Sequence, residues 1–220
     1  MNLEDKKVLV VGLAITGVPL VKALCSLGAH VIVNDLKDEK DLRDSINGLS
    51  NLDVDYILGE HPQSVDSLGG IDLAVVSPGV SPQIPFIQEI KNKGIEIIGE
   101  IELAYRLSKG HILAITGTNG KTTTTALVGE IFKKTGKTTH IVGNIGVAFI
   151  CRALETKKDD IIVIEVSSFQ LENIVDFHPE VGAFLNLTPD HLDRHKTMAN
   201  YEAAKLNLFK NQTEKDFAVI

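Results

Sequence analysis

The feature that most constrains this chain is a short, continuously apolar run that breaks at a loop and gives way to a helical pattern, repeated along its length. The runs are Lys7–Val11, His30–Asn34, Val54–Leu58, Leu73–Val76 and Ile95–Ile98, then His111–Thr116, Thr138–Val142, Ile161–Val166, Val181–Leu187 and Phe217–Ile220. Most do not alternate apolar with polar residues, so they predict strands buried on both faces of a parallel sheet. Helical patterns lie between most of them, at Val18–Leu27, Phe86–Lys93, Lys121–Lys134 and Tyr201–Lys210. Strand and helix in alternation predict α/β architecture. A helix over Glu100–Leu107 stops at Ser108-Lys109-Gly110, and a second strand–loop–helix unit starts directly after it. Two α/β domains are therefore expected, over 1–108 and 109–220.

Composition narrows the partners. The 22 Lys+Arg against 29 Asp+Glu give a net charge of −7. An acidic chain is a poor general binder of nucleic acid or anionic membrane, so any phosphate ligand must be held by a local site. The two cysteines, Cys25 and Cys151, are too few for a disulfide framework and fall in apolar helical stretches. Two buried free thiols and a reducing cytoplasm are expected. The uncharged run Val8–Val21 follows Lys6-Lys7 but is broken by Gly12, Gly17 and Pro19. It is shorter than the ~18 apolar residues a spanning helix needs. No cleavage site follows it, and Glu4 and Asp5 do not suit a signal peptide.

The first loop is Gly12-Leu13-Ala14-Ile15-Thr16-Gly17, and Asp35 closes the second apolar run. The spacing matches a dinucleotide-binding fingerprint with Ala14 in place of the middle glycine, which counts against a nicotinamide cofactor. The following helix still offers free N–H groups to an anion, and Asp35 is placed to accept hydrogen bonds from a ribose or base. A Rossmann-like domain is the expectation. Ser77-Pro78-Gly79 follows the fourth run and would line the same crevice, although a rigid Pro-Gly turn explains it equally well.

The second loop is Gly117-Thr118-Asn119-Gly120-Lys121-Thr122-Thr123, between a strand and a helix. It reads as a P-loop in which Ile115 replaces the leading glycine. Gly117 and Gly120 permit a nest of backbone N–H groups, Lys121 reaches β/γ-phosphates, and the Thr122 hydroxyl suits Mg²⁺. The run Ile161–Glu165 ends in a carboxylate that a Mg²⁺ ion would compensate. A third segment, Asn186-Leu187-Thr188-Pro189-Asp190-His191-Leu192-Asp193-Arg194-His195, also sits at a strand end. One of its histidines assisting a phosphate-bound Mg²⁺, with Asp190 or Asp193 orienting it, fits better than a zinc site. The P-loop, the strand-end glutamate and the histidine segment together predict an ATPase domain of P-loop type.

Three patterns now stand together: Thr-Gly-Thr-Asn-Gly-Lys-Thr at 116–122, Glu-Val-Ser-Ser-Phe-Gln-Leu at 165–171 and Asn-x-Thr-x-Asp-His-Leu-Asp at 186–193. From about Lys6 to Ile220 the chain resembles the Mur ligase family of ATP-dependent amide-forming enzymes of peptidoglycan synthesis. The second pattern is the most specific and is similar to that of the family's D-glutamate-adding branch. The resemblance implies that ATP phosphorylates the carboxylate of UDP-N-acetylmuramoyl-L-alanine and that D-glutamate attacks the acyl phosphate. It further implies that Lys121 holds the phosphates, that Thr122 and Glu165 belong to one Mg²⁺ site, and that His191 belongs to a second. Asn144, in Gly143-Asn144-Ile145-Gly146, would touch the substrate. Lys205 matches a lysine that the family carbamylates, which makes it a metal ligand; its own sequence context suggests only a helix-surface lysine. Ile15, Thr16, Gly17 and Asp35, with Ser77, Pro78 and Gly79, match positions that hold the UDP part. Leu36-Lys37 departs from the Thr-Arg found there in some members.

A cytoplasmic, monomeric ligase that inserts in no membrane is expected. Its amino-acid site would lie in a third domain for which this chain has no sequence, so the chain is expected to be a truncation, inactive alone. The alternatives are another Mur ligase, a folylpolyglutamate-synthase-like ligase, and a nucleotide-binding module without catalysis.

Overall fold

The computed structural model describes residues 1–13 and 16–220. The chain divides into two compact units, Met1–Leu103 and Ala104–Ile220.

Unit 1 contains β1 (Lys7–Val11), α1 (Gly17–Ser26), β2 (His30–Asp35), α2 (Arg43–Asn47), β3 (Val54–Leu58), β4 (Leu73–Val76), α3 (Pro85–Asn92) and β5 (Glu96–Ile98). Helix α4 (Glu100–Leu107) crosses the division. The sheet order is β3-β2-β1-β4-β5, and every pairing is parallel. Val8–Val11 and all of β4 are buried, because helices cover both faces of a sheet built from crossovers. On one face Phe86, Ile87 and Ile90 of α3 pack with Leu9, Val11 and Val76. Pro85 starts α3 at a position where its missing N–H costs nothing. The strand order reverses between β1 and β4, so their carboxyl ends form the crevice where such sheets take ligands.

Unit 2 contains β6 (His111–Thr116), α5 (Lys121–Lys134), β7 (Thr139–Gly143), α6 (Ile150–Ala153), β8 (Ile161–Glu165), α7 (Ser168–Leu171), β9 (Val181–Phe184), α8 (Leu192–His195), α9 (Met198–Leu206) and β10 (Phe217–Val219). Its order is β10-β9-β6-β8-β7, again parallel throughout. Every residue of β8 is buried. The carboxyl ends of β6, β7, β8 and β9 therefore stand side by side and present their loops at one edge.

The α/β class and the parallel sheets agree with the sequence pattern. Two local expectations fail. Neither cysteine is buried: Cys25 is half-buried, and Cys151 is exposed, since α6 is a single turn that buries Ile150 and Ala153 and turns Cys151 outward. The run Val181–Leu187 stops being strand at Phe184, because the residues after it bend to bond with the loop beyond β6. No helix among the described residues is long and apolar enough to cross a membrane.

Candidate functional site

In unit 1 the switch point is built by close approach of two loops. Gly12 has φ +92°, and a Cβ there would stand 2.8 Å from Ser77 Cβ, so the turn after β1 leans directly on the turn after β4. Ser77 N–H donates to Val11 C=O, and Ser77 Oγ accepts from Gly79 N–H at 3.4 Å. Asp35 does less at the surface than its sequence position suggests. Its Oδ2 accepts from Leu13 N–H at 2.7 Å and its Oδ1 from Lys37 N–H at 2.9 Å. The carboxylate thus shapes the first glycine loop from beneath. Thr16 is the residue before α1, and Gly17 opens the helix buried against Leu13. Ile15 lies outside the described residues.

In unit 2 the second glycine loop joins β6 to α5. Gly120 caps α5 at φ +83° and, having no side chain, makes no cap bond to the helix's first N–H groups. Those donors and the positive end of the helix dipole face the loop. Lys121 Nζ folds over it, donating to Gly117 C=O at 3.0 Å and Thr118 C=O at 2.8 Å. Thr123 is exposed on the first turn.

Glu165, at the end of β8, is 1% exposed. Its Oε2 accepts from Thr122 Oγ1 at 2.9 Å and its Oε1 from Asn144 Nδ2 at 2.8 Å. Its backbone C=O accepts from Asn144 N–H at 2.9 Å. Thr122, Asn144 and Glu165, drawn from three elements, are brought together as one cluster. Among the described residues, both carboxylate oxygens are bonded by neutral donors. A buried carboxylate without a cation is costly, so this donor set fits a hard divalent ion.

Lys205 corrects the reading of a helix-surface lysine. It is 1% exposed, because α9 turns Tyr201, Ala204 and Lys205 inward. Its Nζ donates to Gly117 C=O at 2.7 Å, the same oxygen that Lys121 uses. Burial, reinforced by the Lys121 charge and opposed by Asp190, lowers its ammonium to about 8.

His191 caps α8 in the left-handed conformation, φ +51° and ψ +29°. Asp190 is the carboxylate beside it: Oδ1 accepts the His191 N–H at 2.8 Å, and Oδ2 lies 3.4 Å from Nε2. The His191 ring is 4.9 Å from Phe169 and 6.2 Å, edge-on, from Tyr201. Lys205 Nζ sits 4.7 Å over that Tyr201 ring. His191 and Lys205 therefore share an aromatic neighbour, while Thr122 and Glu165 share a hydrogen bond. Among the described residues no three His, Cys, Asp or Glu side chains cluster as metal ligands. His195 is instead buried, with Nε2 3.0 Å from Ser168 Oγ and its ring stacked on Phe169 at 5.2 Å. Burial lowers its imidazolium.

Sequence reasoning passed over Phe169 and Tyr201, aromatics that read as ordinary core. It also passed over the capping box of Ser167 and Gln170, which starts α7 and which the Ser-x-x-Gln spacing does signal.

Comparison with known proteins agrees with this architecture. The family model described as Mur ligase middle domain matches residues 115–220. The model described as Mur ligase MurD-like, N-terminal domain, matches residues 6–99. The UDP-N-acetylmuramoylalanine–D-glutamate ligase of Alkaliphilus oremlandii is 67% identical over 220 residues, which is 100% of this chain and 48% of that protein. The ligase of the same name from Alkaliphilus metalliredigens is 64% identical over the same shares. That of Clostridioides difficile is 53% identical over 222 residues, covering 100% of this chain and 49% of its own. The chain spans about half the length of the curated relatives it matches.

Proposed function

The chain belongs to the Mur ligase family, and from that premise we propose that it supplies the UDP-substrate and nucleotide sites of an ADP-forming ligase that joins D-glutamate to UDP-N-acetylmuramoyl-L-alanine. In this reading residues 1–108 take the UDP end at Thr16, Gly17, Asp35 and Ser77-Pro78-Gly79, and residues 109–220 take Mg²⁺-ATP at 117–123. The L-alanine carboxylate attacks the γ-phosphorus of ATP, and ADP leaves with the bridging oxygen. The amine of D-glutamate then attacks the acyl phosphate, loses a proton and expels phosphate.

Catalysis of this kind is mostly positioning and charge stabilisation. Lys121 swings from the loop carbonyls to the phosphoryl oxygens, and the free N–H groups of α5 add their dipoles. Mg²⁺, when bound, draws charge from those oxygens. Thr122 and Glu165 would hold one ion, and His191 and Lys205 a second. Asn144 fixes the Glu165 carboxylate besides meeting the substrate. Lys205 serves as a ligand once its neutral amine adds to CO₂ and releases a proton, leaving a carbamate anion. At pH 7.5 an amine with a pKa of about 8 is roughly one-quarter neutral, against about one in a thousand at the ordinary value. The carbamate would also exchange repulsion from Lys121 for attraction.

The observation that carries this reading is the convergence of Lys121 and Lys205 on the Gly117 carbonyl, together with a buried Glu165 whose partners among the described residues are the neutral Thr122 and Asn144. The test is thermal stabilisation of the 220-residue chain by Mg²⁺-ATP and, separately, by UDP-N-acetylmuramoyl-L-alanine. Lys121→Ala should lose the first shift and keep the second. A wild-type chain that responds to neither ligand sinks the proposal.

A further inference from the structure

Besides the Lys121 bonds to Gly117 and Thr118, the glycine loop of unit 2 is braced from outside. A clasp from the segment after β9 fixes it. The peptide groups of Asn119 are paired on both sides by one side chain: its N–H donates to Asn186 Oδ1 at 2.9 Å, and its C=O accepts from Asn186 Nδ2 at 2.9 Å. Only one orientation of the Asn186 amide satisfies both bonds, because a flipped amide would set donor against donor and acceptor against acceptor. Next to it, Thr118 N–H donates to Asn186 C=O at 3.0 Å. Thr118 Oγ1 accepts from Thr188 N–H at 3.0 Å and donates to Thr188 C=O at 3.2 Å. Asn119 Nδ2 reaches Thr188 Oγ1 at 3.3 Å. The two segments touch closely, since a Cβ on Gly117 would stand 3.2 Å from Leu185 Cβ.

A loop with two glycines has many conformations to lose when it closes around a phosphate, and that entropy weakens binding unless it has been removed beforehand. We propose that Asn186 is a positioning residue for the nucleotide: by closing a two-bond ring on the Asn119 peptide it keeps loop 117–120 in its anion-receiving shape before ATP arrives. Part of the ATP affinity is thus set by a side chain on the loop of a neighbouring strand. The same segment continues to His191, so one stretch of chain holds both the phosphate loop and a proposed metal ligand. This inference rests on the reading of 117–123 as the Mg²⁺-ATP site.

The experiment uses the 220-residue chain and a fluorescent ATP analogue with Mg²⁺, and compares wild type, Asn186→Ala and Asn186→Asp. Asn186→Ala removes both bonds and should weaken affinity about tenfold. Asn186→Asp keeps the acceptor for the Asn119 N–H but sets a charged acceptor against its C=O beside the phosphate loop, so its affinity should fall at least as far. Its near-identical shape keeps the test available if the alanine variant does not melt cooperatively. Amide exchange of the nucleotide-free chain is the second readout. Thr118 N–H bonds to the Asn186 backbone carbonyl, which both substitutions keep, so faster exchange there reports loosening of the loop itself. Wild-type affinity in both variants overturns the proposal. So does an affinity loss with unchanged Thr118 exchange, which would make Asn186 a direct contact. A wild-type chain that binds no Mg²⁺-ATP overturns the site reading and this inference with it.

Discussion

Replacing Lys205 by Met should make the chain more stable at neutral pH. The ammonium is buried and faces Lys121, which together bring it from its ordinary 10.5 to about 8. A depression of that size corresponds to about 3 kcal/mol of unfavourable free energy for the charged form. Met fills a similar volume without charge. Losing the bond to Gly117 C=O and the contact over Tyr201 costs about 1 kcal/mol, so the net gain should be about 2 kcal/mol. The pH dependence follows from linkage. The folded chain releases this proton at lower pH than the unfolded chain, so the unfolded state binds more protons between about 8 and 10.5. Wild-type stability therefore rises across that window. The advantage of Lys205→Met should be complete well below pH 8, vanish at about pH 9.5 and reverse by about 1 kcal/mol at pH 10.5. Urea unfolding in CO₂-depleted buffer, followed by circular dichroism at pH 7, 9 and 10.5, measures it. Added bicarbonate should then stabilise wild type and leave the variant unchanged. A variant that is less stable than wild type at pH 7, or a difference that is constant with pH, would refute the reasoning.

Two further substitutions probe the frame around the site. Gly143 has φ +107°, and a Cβ there would overlap the Glu165 carbonyl oxygen and come within 2.8 Å of Ile164 Cγ1. Gly143→Ala should cost more than about 2 kcal/mol in thermal unfolding, and a loss below about 0.5 kcal/mol would contradict the packing. At the opposite end of the unit 2 strands, Asp160 is held below the usual carboxylate range, first by His140 at 2.9 Å and then by the Lys157 N–H, against the effect of burial. Its contribution is present above its ordinary 3.8 and lost as pH falls through the depressed folded value. Asp160→Asn should therefore cost about 1 kcal/mol at pH 7 and progressively less as pH falls below 3.8, as read from denaturant melts.

The legible parts of this molecule were those written in contiguous residues. Runs such as Leu73–Val76 and Ile161–Ile164 are strands because nothing in them tolerates water, and α5 occupies the helical pattern Lys121–Lys134 residue for residue. Thr122 and Glu165 do meet, since a P-loop and a strand-end carboxylate on the adjacent strand of a parallel sheet have few other places to go. What stayed hidden depends on packing between distant segments. Lys205 looks like a surface residue until α9 is seen to turn that face toward Gly117. Asp35 has the spacing of a ribose acceptor, yet spends both oxygens on backbone N–H groups. Asn186 reads as part of a histidine motif, and its pairing with Asn119 exists only because β9 lies beside β6. The short helices α7 and α8 have too few residues for any periodicity to show.

The most direct test of the nucleotide site is calorimetric titration of ATP into the chain, with and without Mg²⁺, for wild type beside Glu165→Gln. The buried carboxylate held by Thr122 and Asn144 predicts one ATP per chain and an affinity that depends strongly on Mg²⁺ in wild type. In Glu165→Gln, which keeps the shape and removes the charge, that dependence should largely disappear. An affinity with the same Mg²⁺ dependence in both proteins, or no binding by wild type, would contradict the account.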